Sequence, residues 1–184
     1  MEITGSDATI LGLAIGRASL KDVQAKLGNA NVTRVSRDEE SDISVCYVSP
    51  IDGTVLVFYS GAMGGWKDIT WFALWSREAT FPHASQCTPS KLVSQGLRTP
   101  SGVRLGLTKA DLERILGKPK ERGTKSLKYS YLCRKKMTEE EITRFKTMDW
   151  DVRSDPYFDR MSWIEVRYTE STTSRIEVGE ITSY

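Results

Sequence analysis

The sequence predicts an α+β protein of two tandem repeats, each a short helical segment followed by an antiparallel sheet. Three observations predict it. One segment occurs twice, at 16–28 and 106–117; β-branched and aromatic runs follow each copy; a stretch carrying Pro82, Pro89 and Pro100 separates them.

The early copy reads Gly16-Arg-Ala-Ser19-Leu-Lys-Asp22-Val23-Gln-Ala-Lys-Leu27-Gly28, and the late copy Gly106-Leu-Thr108-Lys-Ala-Asp111-Leu112-Glu-Arg-Ile-Leu116-Gly117. Each spells a helix. Ser19 and Thr108 are N-cap residues, and the acids three places on, Asp22 and Asp111, reach back to the cap amide as a weaker capping box. Leu107 and Leu112 occupy the staple positions of the second copy. Gly28 and Gly117 supply the left-handed residue that ends each helix, and Pro119 blocks continuation of the second. Helices of about two to three turns are marginal alone, so both must dock on something.

Strand-like runs follow at 43–48, 54–59 and 68–75 after the first copy, and at 127–133, 161–168 and 175–181 after the second. Aligning Val57-Phe-Tyr59-Ser with Val166-Arg-Tyr168-Thr puts Val55, Val57, Tyr59 and Ile164, Val166, Tyr168 on the helix-covered faces. Residues 1–80 then form the first repeat, 81–102 a linker, and 103–184 the second repeat with an insertion at 137–160. That insertion opens with its own capping box, Thr138-Glu-Glu-Glu141, with Met137 and Ile142 at the staple positions, and predicts a third short helix.

The 184 residues, 39% hydrophobic and with five Trp, seven Tyr and five Phe, hold enough apolar mass for a core, which excludes intrinsic disorder. Twenty-six basic against twenty-four acidic residues leave +2, with the signs interspersed, so nucleic acid is not an expected partner. Mean hydropathy is −0.37 and no apolar run approaches the roughly 20 residues that span a bilayer, so a soluble protein without membrane insertion is expected. The opening MEITGSDATI shows no leader, which suits a cytosolic chain or a mature secreted one. Three Cys without a CxxC spacing give no zinc site, and Cys46 and Cys133, in apolar strands, read as inert thiols or a structural disulfide.

The duplicated helix motif, the strand cysteines Cys46 and Cys133 and the order of elements resemble the β-lactamase inhibitory protein (BLIP) fold, and more distantly the outer-membrane assembly lipoproteins of the SmpA/BamE type. The resemblance spans nearly the whole chain. It implies a periplasmic or extracellular setting and a protein partner gripped by strand-connecting loops, one offering an aspartate and the other an aromatic ring. Here those are Asp52 in Pro50-Ile-Asp-Gly53, and Trp150, Tyr157 and Phe158 in the insertion. The family pairs its strand cysteines with cysteines just after each helix, where this chain has Val32 and its neighbours and residues 120–123; Cys87 in the linker then offers Cys46 a different partner.

Asp52 is also what a plain turn requires, and the aromatic residues of the insertion also suit packing back on the sheet. The other face of the first repeat shows Leu56, Phe58, Phe72 and Leu74, where the second shows Glu165, Arg167 and Glu177. That apolar face needs cover, from the sister repeat, the linker or a partner, which makes Phe58 and Phe72 candidate partner-binding residues. His83, the only histidine, has no nucleophile pattern near it. The expected function is therefore a non-enzymatic protein-binding module of the bacterial envelope or secreted space, including an inhibitory one, without cofactor or metal and either monomeric or homodimeric. The alternative is a carboxylate-based hydrolase with a cleft between the repeats.

Overall fold

The computed structural model describes residues 8–37, 40–147 and 157–183. Strands β1 (Thr9–Ile10) and β2 (Leu13–Ala14) form a hairpin whose two turn residues, Leu11 and Gly12, sit at φ 54° and 76°, the left-handed pair that a tight hairpin needs. Helix α1 (Leu20–Leu27) and helix α2 (Lys109–Leu116) start alike. Asp22 N–H bonds the Ser19 hydroxyl at 3.3 Å while Asp22 Oδ2 accepts from Ser19 N at 2.8 Å, and Thr108 and Asp111 repeat the exchange at 3.2 and 3.3 Å. Leu20, Val23 and Leu27 of α1, and Leu112 and Leu116 of α2, are the buried stripe of each.

Both capping acids titrate below the usual carboxylate range. Asp22 is lowered first by the Ser19 amide and then by its hydroxyl; Asp111 is lowered first by the Thr108 hydroxyl and then by its amide. A folded pKa below the unfolded one means that the contribution is present above the unfolded value and lost as pH falls through the folded one. Melting temperature is therefore expected to drop below about pH 4. In the Asp22→Asn/Asp111→Asn variant that drop should be shallower; an unchanged acid slope would remove the capping acids as its cause.

The remaining strands are β3 (Thr33–Arg37), β4 (Glu40–Val48), β5 (Val55–Ser60), β6 (Trp71–Trp75), β7 (Thr88–Pro89), β8 (Glu121–Arg122), β9 (Ser126–Lys136), β10 (Tyr157–Thr169) and β11 (Thr172–Ser183). A third helix, α3 (Glu139–Thr147), forms in the insertion, with Met137 before it buried. All nine strands from β3 onward belong to one sheet, ordered β3-β4-β5-β6-β11-β10-β9-β8, with β7 added parallel to β4.

This corrects the predicted fold class. The chain is predominantly β and has one large antiparallel sheet, not two helix-plus-sheet repeats with a sheet apiece. The seam is β6 against β11, running from Arg175 opposite Trp75 to Gly179 opposite Trp71. Its physical cause is edge pairing. Phe72 and Leu74, and Ile176 and Val178, are apolar on the helix side, and leaving β6 and β11 as separate sheet edges would expose main-chain donors and acceptors along both. What the two copies share is local: Gly16 N–H bonds the Ile69 carbonyl at 2.8 Å, and Gly106 N–H the Thr173 carbonyl at 2.9 Å.

A second correction concerns faces. The helices cover Leu56, Phe58, Phe72 and Leu74 together with Ile164, Val166, Tyr168, Ile176 and Val178. Val55, Val57 and Tyr59 point the other way, so the alignment of the two copies is out by one residue, which in a strand exchanges the two faces. Strand β5 is buried on both sides because the chain after β6 folds over it: Phe81, Ala84 and Cys87 pack on Val55, Val57, Tyr59, Trp71 and Ala73. The stretch predicted as a linker is thus attached to the sheet, by this packing, by β7, and by Val93 within the main core.

Candidate functional site

Among the described residues no such segment lies over the other half of the sheet, which is the candidate site. On β9, β10 and β11 the residues facing away from the helices include Lys128, Ser130, Leu132 and Arg134; Asp159, Met161, Trp163, Glu165 and Arg167; and Arg175, Glu177, Gly179 and Ile181. Pairing sets Met161 opposite both Leu132 and Ile181, which makes an apolar row across three strands. These three are 39%, 72% and 41% exposed in that order. In the next row Trp163 lies over Gly179, where any Cβ would overlap the indole ring. Trp163 leans toward Trp71, at 6.3 Å between ring centroids, and Trp71 stacks on Tyr59 at 3.4 Å and 3°. The aromatic ladder therefore runs from the covered half of the sheet into the open half.

Charge borders the apolar row. On one side Arg134 Nε meets Asp159 Oδ1 at 3.0 Å, and the Arg134 guanidinium stands 5.9 Å from the Tyr157 ring centroid. On the other side Glu165 and Glu177 face each other across β10 and β11. Each has its own guanidinium: Arg167 Nε is 3.2 Å from Glu165, and Arg175 pairs with Glu177 while lying 3.9 Å above the Trp75 ring. Alternating signs offset the two carboxylates within the patch. Among the described residues no group of three or more His, Cys, Asp or Glu is placed to hold a metal ion, and no helix is long and apolar enough to cross a membrane.

The residues singled out from the sequence fall in four places. Asp52 accepts from Thr54 N at 2.9 Å and from Gln95 N at 2.8 Å, closing the β4–β5 turn and tying it to the chain after β7. Burial alone would raise its pKa, but these bonds, with one from Ser49, together outweigh that and lower it. Its carboxylate is committed inside the molecule. Phe58 and Phe72 are 0% exposed and packed in the main core, which corrects their assignment to a partner surface. Cys46 and Cys87 are joined by a disulfide, and Cys133 is a free, exposed thiol on β9. Tyr157 is exposed at the start of β10, whereas Trp150 and the Phe158 side chain lie outside the described residues.

Leu132, Met161, Trp163 and Ile181 were not legible as a set. The available signal was parity: in Met161-Ser-Trp-Ile-Glu-Val-Arg-Tyr168 the apolar Met161 and Trp163 share the face of Glu165 and Arg167, opposite to Ile164 and Val166. Comparison with known proteins found no matching family model, no matching curated protein and no matching solved structure.

Proposed function

We propose that the chain is a non-enzymatic protein-recognition module that holds its partner on the open half of the sheet. The observation that supports this reading is the exposed row Leu132, Met161 and Ile181, flanked by Trp163 and bordered by Arg134, Glu165 and Arg167. An apolar centre with an aromatic anchor and a charged rim is the composition of a protein interface, and three large apolar side chains in one row on a sheet cost solubility unless something covers them. The disulfide suits an oxidising compartment, hence the envelope or the secreted space. The motif resemblance names a secreted hydrolase such as a β-lactamase as the first partner to try.

The test uses Met161→Asp/Ile181→Asp, two exposed positions whose replacement leaves the core intact. A partner retained from periplasmic extract by the wild type is expected to bind the variant at least about tenfold more weakly, and to bind a Lys21→Ala control as the wild type does. Equal retention by all three chains sinks the face as the grip. Light scattering on the same proteins covers the homodimer: a wild-type dimer that the two aspartates split gives the face to a second copy instead.

A further inference from the structure

We propose that the outer edge of β9 takes up an extended acidic segment of a partner protein by strand addition. It uses main-chain groups at the sheet margin, where the open face uses the side-chain row across β9, β10 and β11; Leu132 belongs to both.

Strand β8 covers only the start of β9, pairing Glu121 with Lys128 and Arg122 with Leu127. There the Lys128 carbonyl accepts from Lys120 N at 2.9 Å and the Ser126 carbonyl from Gly123 N at 2.9 Å, so the even-numbered residues of β9 turn their main chain outward. Strand alternation continues the series through Ser130, Leu132 and Arg134. Among the described residues no strand pairs with this stretch, and the Arg134 carbonyl meets only the Cys133 thiol at 4.0 Å. Leu132, at 72% exposure, is the most open large apolar side chain on this stretch.

Charge selects the occupant. Between Lys118 and Lys136 there are eight Lys and Arg and one Glu, although the chain as a whole carries only +2. The near-balance of the total hides a basic margin. Lys118, Lys120 and Lys125, just before β9, are exposed; Arg122, Lys128 and Arg134 make surface ion pairs with Glu113 at 2.7 Å, Glu121 at 3.8 Å and Asp159 at 3.0 Å, which leave the margin net basic. A second copy adding to this edge antiparallel would bring such residues against their own equivalents, and like charges facing across strands are unfavourable. Basic side chains on an edge are a known guard against self-pairing, and the same charges attract an acidic strand. The fitting segment runs past Ser130, Leu132 and Arg134, beyond the part of the edge that β8 occupies; it is apolar where it passes Leu132 and acidic where it passes Arg134, competing there with Asp159 at 3.0 Å; its main chain supplies affinity and its side chains register.

The probe is a labelled peptide of about ten alternating Glu and Val residues, a usual strand length, with binding followed by anisotropy. It is compared with three others: its Lys–Val counterpart, a copy of equal charge N-methylated at alternate residues, and a single-stranded oligonucleotide of equal charge. Strand addition predicts that the Glu–Val peptide binds, weakens with salt, and exceeds both altered peptides by at least about tenfold. Leu132→Pro, which removes one outward donor, should lose binding while circular dichroism shows the sheet retained; should that variant not fold, the N-methylated peptide still decides. Equal binding by the N-methylated peptide overturns the proposal in favour of bare charge, and tighter binding by the oligonucleotide overturns it in favour of nucleic acid. A dimer in light scattering that the Glu–Val peptide fails to dissociate overturns it in favour of a second copy. Leu132 belongs to the open-face row as well, so the separation rests on the altered peptides, which leave Leu132, Met161 and Ile181 in place: failure there leaves the open-face reading standing, and the reverse.

Discussion

Truncating Phe72 to alanine is expected to cost about 3–5 kcal/mol of folding stability, because a fully enclosed phenyl ring leaves both its transfer energy and a cavity behind. The ring has no exposed surface, sits on β6 beside the seam with β11, and meets Phe58 at 6.2 Å between centroids and 52°. Neighbours on both strands, Phe58 and Val178, lose contact at once, and the register across the seam depends on them. Urea unfolding of Phe72→Ala against the wild type reads the loss directly. A change within about 0.5 kcal/mol, the usual effect of a surface substitution, would return Phe72 to the outside and with it the partner-binding role that its sequence context suggested.

Removing the disulfide should have an effect of similar size. Cys46 and Cys87 are 41 residues apart, and they close a loop that holds β5, β6 and the segment covering them. Loop-closure entropy for that length gives about 4 kcal/mol, less whatever structure the unfolded chain keeps. In the Cys46→Ala/Cys87→Ala variant the Phe81–Cys87 segment is expected to lift from Val55, Val57 and Tyr59 before the sheet unfolds. Hydrogen exchange should therefore report early opening in that segment alone. A variant as stable as the wild type, with no local opening, would mean that packing and β7 hold the cover without the covalent link.

The capped helices were legible in the sequence because everything that makes them is local. Ser19 and Asp22, or Thr108 and Asp111, lie three residues apart and complete their bonds within one turn. The strand runs were legible for the same reason, since β-branched and aromatic composition acts over a few residues. The sides of the strands were less so. In β5 every residue is buried, and a strand apolar on both faces carries no alternation to say which face meets the helices. The candidate site shows the same limit: Met161 alone is an exposed methionine, and it becomes part of a surface only when β9 and β11 set Leu132 and Ile181 beside it.

The sequence by itself determined that two capped helices would form, that β-rich runs would follow them, and that the chain could bury a core. Only the tertiary structure decided that β6 and β11 pair into one continuous sheet, that the stretch after β6 covers β5, and that the half holding β9 to β11 keeps an open face and a basic margin. The reason lies in the range of the forces. Caps and strand propensity act between near neighbours along the chain, whereas edge pairing and burial act between segments brought together only by the fold, and one residue of register changes which side chains meet them.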